Sequence, residues 1–208
     1  LFGTFQEEMP DKPPVYGITR PVSTWNPIKI NFQHLWLLAK DAWYARSWRD
    51  KFRVWWMPTG WRPADVAARF PVAKIDDVYH FEKYNPESSA ALKAWSMVHL
   101  VLLLLLSAYF FGHLGAIGSP GIFVYGLFLM LSVYATAELA DRQPLAWVWE
   151  LLKTGLGFFI LYQQGDWFGI NDLWPSGTYF VAGYLIFSAL MAVVLNQWRK
   201  TETPALAQ

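Results

Sequence analysis

The chain contains no cysteine among its 208 residues. Disulfides, thiolate metal sites and cysteine nucleophiles are therefore excluded. Charge is scarce as well: 16% of residues are Asp, Glu, Lys or Arg, against roughly 25% in an ordinary soluble domain. Histidine is limited to His34, His80, His99 and His113, and no two of these stand at the i,i+3 or i,i+4 spacing that puts ligands on one helix face. A non-haem iron or di-iron centre needs several converging nitrogen and carboxylate ligands, and these four histidines do not supply them. No phosphate-binding loop, dinucleotide fingerprint or nucleophile elbow is present. Residues 1–208 thus offer neither a catalytic residue nor a metal ligand that the sequence can name.

What the chain does have is apolar and aromatic side chains. The hydrophobic share is 54%, with 13 tryptophans. That combination indicates a membrane protein with interfacial anchors. Four long apolar stretches fall in residues 88–208: about Ala90 to Leu114, Gly121 to Ala140, Leu145 to Tyr162, and Tyr179 to Trp198. Each approaches the roughly 20 residues that cross a bilayer as a helix. The third is interrupted by Glu150 and Lys153. The expected fold is all-α integral membrane, a cytoplasmic loop and surface-helix region followed by four transmembrane helices.

Residues 1–87 differ in kind. They are polar, aromatic and repeatedly broken by proline. The first 25 residues read as an extended loop. Asn26-Pro27 reads as a helix start, with Asn as N-cap and Pro in the first helical position. A helix from about Pro27 to Arg46 puts Ile30, His34, Leu37, Leu38 and Asp41 near one face. A second short helix is expected over Ser47 to Met57, where Trp48, Phe52, Trp55 and Trp56 alternate with Arg49, Lys51 and Arg53. Basic and aromatic residues mixed in this way suit a membrane surface; a nucleic-acid partner is not expected, because stacking platforms on strands are absent and the second half is apolar enough to lie in lipid.

Charge placement sets the topology. With four spans, sixteen of the 17 Lys and Arg residues fall on the side that carries residues 1–87, or at its helix ends. Lys153 is the exception. The opposite connections, about Gly115–Pro120 and Gln163–Thr178, contain no Lys or Arg. The positive-inside rule then makes both the N-terminal segment and the C-terminus cytoplasmic, in a bacterial inner membrane or the endoplasmic reticulum.

Candidate contacts to lipid or to another domain are His34, Glu150 and Lys153. His34 lies on the apolar side of the surface helix. Glu150 and Lys153 share a helix face, where pairing lowers the cost of charge in a span and snorkelling to the surface is the other outlet. His99 reads as a helix–helix hydrogen bond or the wall of a wet crevice, and His113 as interfacial. Gly155-Leu156-Gly157 reads as a close-packing patch. Asp76-Asp77 reads as solvated loop charge.

Several short motifs recur here in a fixed order: Leu1-Phe2-Gly3-Thr4-Phe5-Gln6-Glu7-Glu8, Pro14-Val15-Tyr16-Gly17-Ile18-Thr19, Trp25-Asn26-Pro27, Asn31-Phe32-Gln33-His34-Leu35, Trp48-Arg49-Asp50-Lys51-Phe52, Pro58-Thr59-Gly60-Trp61-Arg62-Pro63 and Asp141-Arg142-Gln143-Pro144. Together they resemble the C-terminal half of the fatty acid hydroxylase/sterol desaturase superfamily, in particular its alkylglycerol monooxygenase-like branch, which carries extra C-terminal membrane helices. The resemblance implies a membrane-bound di-iron oxygenase that hydroxylates or desaturates a lipid with O₂ and an electron donor. The histidine clusters of that family are not in residues 1–208, and the chain opens mid-pattern. On the resemblance, then, the metal ligands and the catalytic half of the protein lie upstream. Residues 1–87 would close the catalytic domain and residues 88–208 would form the transmembrane region. The expected partners are a membrane lipid, the upstream half and an unknown reductant. The alternatives are a non-enzymatic membrane scaffold or assembly module, and a small transporter with Glu150 and Lys153 in its pathway.

Overall fold

The computed structural model describes residues 11, 14, 15 and 20–202, with side chains through Asn196. The Leu1–Glu8 run and most of the motif beginning at Pro14 lie outside the described residues. Among those described, every regular element is a helix: α1 (Pro27–Tyr44), α2 (Trp48–Arg53), α3 (Ala64–Arg69), α4 (Ala90–Gly112), α5 (Leu114–Ile117), α6 (Gly121–Ala140), α7 (Ala146–Gln164), α8 (Ile170–Leu173) and α9 (Gly177–Glu202). The chain divides into two compact units. One comprises residues up to Thr24 with Ile30–Asn85, and the other Trp25–Lys29 with Pro86 onward.

Among the described residues of the first unit, the apolar interior is small: Ala45, Val54 and Val66 are the buried hydrophobic residues. Charged hydrogen bonds tie its helices instead. The Arg62 guanidinium grips Asp41 in two places, Nε to Oδ2 at 2.6 Å and Nη2 to Oδ1 at 2.7 Å, and Nη1 donates to the Phe70 carbonyl at 2.8 Å. This bidentate hydrogen bonding to Asp41 raises the Arg62 pKa. Arg69 joins α3 to α1 by donating to the Tyr44 carbonyl at 2.6 Å. Lys51 of α2 reaches the carbonyls of Ala42 and Trp43 at 3.0 and 2.7 Å, where the end of α1 leaves carbonyls without helical partners. The helix expected over Ser47 to Met57 is realised only from Trp48 to Arg53, then gives way to turns leading to Pro58. Helix α3, which was not expected from the sequence, starts directly after Pro63.

The second unit is a bundle of α4, α6, α7 and α9. Helix α6 packs on α4 and α7, α7 packs on α9, and α4 meets α9. Its main core gathers Tyr125, Phe128, Ile160, Trp167, Val181 and Leu185. A second cluster joins Leu92, Trp95, Leu139, Ala146, Ala192 and Leu195. Among the described residues, three helices are long and apolar enough to cross a membrane: α4, α6 and Gly177–Asn196 of α9. Outward residues such as Leu104, Leu105 and Phe123 are exposed, an arrangement that suits lipid as solvent. Helix α7 is 19 residues long but falls outside that set.

Asn26 caps α1 as its sequence predicts: Oδ1 accepts from the backbone N–H of Ile28 at 3.0 Å and of Lys29 at 3.3 Å. The same residue is fully buried because Nδ2 donates to Glu138 Oε1 at 2.9 Å. Lys29 adds an ion pair to Glu138 at 2.6 Å, and the Trp25 N–H donates to both oxygens of Asp141 at 2.9 Å. Two acidic residues at the end of α6 thus hold the first turn of α1.

Candidate functional site

Six polar residues converge inside the second unit. His99 comes from α4, Thr136 from α6, Glu150 and Lys153 from α7, and Tyr184 and Ser188 from α9. Helical spacing explains the convergence. Glu150 and Lys153 are one turn apart, as are Tyr184 and Ser188, so each pair faces one direction. Close approach of α7 to its neighbours comes from Gly157, where a Cβ would stand 2.6 Å from Leu185 Cδ1 and 3.2 Å from Phe128 Cε2. Gly155, its partner in the small-residue patch, faces open space, so only half of that patch packs.

Lys153 has a side-chain exposure of 0% and Glu150 of 4%. The Lys153 ammonium donates to Glu150 Oε1, to Ser188 Oγ at 2.7 Å and to the Tyr184 hydroxyl at 3.3 Å. Its three protons are therefore matched by three acceptors. Ser188 Oγ also donates to Glu150 Oε1. The ammonium sits 4.7 Å from the Tyr184 ring centroid, so the aromatic face adds to the cation's stabilisation. Both charges are kept inside the bundle, with neither side chain extended to a membrane surface.

From Tyr184 the network continues to His99. The Tyr184 hydroxyl lies 2.6 Å from His99 Nε2, and Thr136 Oγ1 lies 2.9 Å from His99 Nδ1. Thr136 has one hydroxyl hydrogen, and it goes to the Ser132 carbonyl at 2.8 Å. Thr136 therefore accepts from His99, which places the imidazole proton on Nδ1. Nε2 must then accept from Tyr184. Donors run in one direction, Lys153 to Tyr184 to His99 to Thr136 to the Ser132 carbonyl. His99 thus makes the helix–helix hydrogen bonds expected of it, with both ring nitrogens occupied.

Tyr184 also borders an apolar cavity of about 440 Å³, walled by Leu102, Leu106, Tyr109, Leu173 and Val181 among others. The network therefore reaches a hydrocarbon-lined space through one aromatic ring. Chemically it can fix four helices at one level and orient that ring. His34 is exposed on α1 and is not brought to the network. His113 closes the end of α4, its Nδ1 2.9 Å from the Tyr109 carbonyl and its ring stacked on Tyr109 at 4.1 Å. His80 pairs with Asp77 at 2.7 Å in an exposed loop. Hydrogen bonding from that ring holds the Asp77 carboxyl below its usual range. The chain gives no metal centre among the described residues: nowhere do three His, Asp or Glu side chains gather in a way that could hold an ion.

Sequence reading missed Tyr184, Ser188 and Thr136. Their signal was present, since Ser132/Thr136 and Tyr184/Ser188 are polar pairs at i,i+4 within otherwise apolar helices. Glu138, buried at the end of α6 against Asn26 and Lys29, was also passed over.

The chain is similar to alkylglycerol monooxygenase of Homo sapiens, 28% identical over 180 residues that cover 85% of this chain and 38% of that protein. It is likewise 28% identical to alkylglycerol monooxygenase of Xenopus tropicalis over 170 residues, 80% of this chain and 36% of that protein. The chain thus spans less than two fifths of the curated relatives it matches. No family model matches it, and no solved structure does.

Proposed function

We propose that the chain is the C-terminal portion of a membrane-bound di-iron lipid oxygenase of the hydroxylase, desaturase or alkylglycerol monooxygenase kind. It acts on a lipid with O₂, and a separate reductant supplies electrons. Similarity to alkylglycerol monooxygenases along four fifths or more of the chain carries this reading, together with three helices able to cross a membrane. The described residues do not fit an iron centre, so in this reading the metal ligands lie in the upstream half of the protein.

In this reading α7 is a fourth span. Its charges neutralise one another inside the bundle, while its outward residues Leu151, Leu152, Phe158 and Phe159 are apolar. An even number of spans, with no Lys or Arg in the connections Gly115–Pro120 and Gln163–Thr178, puts the N-terminal segment and the C-terminus in the cytoplasm. Residues 1–87 close the catalytic domain, and residues 88–208 widen the membrane body. Glu150 and Lys153 serve lipid through Tyr184, which they hold on the wall of the apolar cavity. His34, exposed on α1, is assigned to a contact with lipid or with the upstream half.

The test is elemental analysis of the purified parent protein and of the 208-residue chain. About two irons per parent polypeptide and none in the 208-residue chain are expected. Iron bound by the chain itself, or none in either, overturns the reading.

A further inference from the structure

The first unit contains a cavity of about 570 Å³ that the oxygenase reading does not use. Its size falls within the roughly 300–1,000 Å³ of small-molecule sites. Arg20, Ser23, Trp36, Lys40, Tyr44 and the Asp41–Arg62 pair contribute to its lining. Asp41 and Arg62 cancel one another, joined by two hydrogen bonds. Arg20 and Lys40 are different. Among the described residues neither enters a salt bridge, and the Lys40 ammonium rests 5.4 Å over the exposed Trp36 ring. Among the described residues, the cavity therefore carries two positive charges that no carboxylate offsets.

Besides Trp36 at the cavity, the first unit exposes further aromatic rings. Phe32, Trp36 and Trp43 stand out from α1, and Trp48 and Phe52 from α2. Rings with an apolar body and a polar edge gather where hydrocarbon meets water. A free anion would need the cations and would gain nothing from exposed aromatic rings. A lipid with an anionic headgroup uses both.

From this geometry we infer that the Arg20–Lys40 cavity binds the phosphate headgroup of an anionic phospholipid in the membrane surface, with Trp36 against the lipid's interfacial region. The inference depends on the oxygenase reading only for which leaflet supplies the lipid, and on nothing in its chemistry. Anionic lipids concentrate in the cytoplasmic leaflet, which is where that topology puts residues 1–87.

The test uses the whole chain in a zwitterionic detergent. Binding is followed by calorimetry with dihexanoyl phosphatidylglycerol, dihexanoyl phosphatidylcholine and inorganic phosphate. Phosphatidylglycerol should bind at least tenfold more tightly than either of the others. The double substitution Arg20→Gln with Lys40→Gln should remove that preference, and Lys40→Arg, which keeps the charge, should retain it. Lys83→Gln, an exposed cation outside the cavity, should change nothing. Equal affinity for phosphatidylcholine overturns the proposal, as does equal affinity for inorganic phosphate, which would make this a free-anion site. An equal loss in Lys83→Gln also overturns it, since that would mean diffuse surface charge is responsible.

Discussion

In the first unit the buried carboxylate of Asp41 meets an arginine whose side chain is 14% exposed; in the second, the carboxylate of Glu150 meets a lysine with none. The two pairs solve one problem under different solvents. Arg62 is a planar fork that satisfies both Asp41 oxygens and still reaches a carbonyl, so one residue can stabilise a carboxylate near water. Lys153 is a compact cation sealed among helices, so its three protons need acceptors brought from two helices and an aromatic face beneath it. The same contrast runs through the apolar residues. The second unit buries Tyr125, Phe128 and Trp167 and turns leucines outward, which costs nothing in lipid. The first turns tryptophans outward and buries small aliphatic residues. Polar ties of this sort fix helix partners where lipid tails give no hydrophobic drive for helices to associate.

Removing Glu150 tests the sealed pair most severely. Glu150→Ala leaves the Lys153 charge buried without its counter-ion and should cost about 3–5 kcal/mol in a thermal or denaturant melt in detergent. Replacing both charges, Glu150→Leu with Lys153→Met, should recover most of that loss, because well-packed apolar residues commonly match a buried ion pair. If the single substitution costs no more than the double one, the pair is not sealed as described.

Arg62→Ala is the matching experiment in the first unit. Asp41 loses both of its side-chain donors but lies where water can enter, so the loss should be smaller, about 1–3 kcal/mol. Hydrogen exchange should rise over α1 to α3 and stay unchanged over α4 to α9. Exchange that rose equally in both would contradict the division into two units.

Packing within the second unit can be probed at adjacent small residues. Gly157→Ala drives a methyl into Leu185, which is itself fully buried, and should destabilise by about 1–3 kcal/mol. Gly155→Ala meets open space and should stabilise by roughly 0.5–1 kcal/mol through helix propensity. Equal effects at the two sites would mean α7 is rotated from the orientation described.

The smallest effect concerns the exposed loop of the first unit. Asp77 has a lowered pKa, so the order it gives the turn at Tyr79 and His80 is complete above the ordinary carboxylate pKa of about 4. That order disappears as pH falls through the lowered value. The His80 ring resonances should report this local loosening, while global stability stays flat, because both partners are well exposed.

Much of the helical framework was legible beforehand. Long uninterrupted apolar runs have sharp edges, so α6 occupies Gly121–Ala140 as read, and Asn26-Pro27 carries its own start signal. Helix α3 was not legible, since six residues between prolines hold too little periodicity. Glu150 and Lys153 could be paired from spacing alone. Their partners could not, because Ser188 is 35 residues from Lys153 and Tyr184 is 85 from His99. Such contacts depend on which helices become neighbours, and a one-dimensional pattern does not record that. Glu138 and Asp141 illustrate the same limit, since they act on residues more than 100 positions earlier.

The one-way order of donors from Lys153 to the Ser132 carbonyl has a consequence for assembly. A hydroxyl or neutral imidazole has a single hydrogen to give, so between two neighbours it donates to one and accepts from the other. The chain of bonds therefore reads as an arrow across α7, α9, α4 and α6. A bundle with two of these helices exchanged would set donor against donor, or acceptor against acceptor, somewhere along it. Inside a bilayer no water could repair the clash. Four hydrogens pointing the same way thus act as a proofreading code, admitting one arrangement of otherwise interchangeable apolar helices and rejecting the rest.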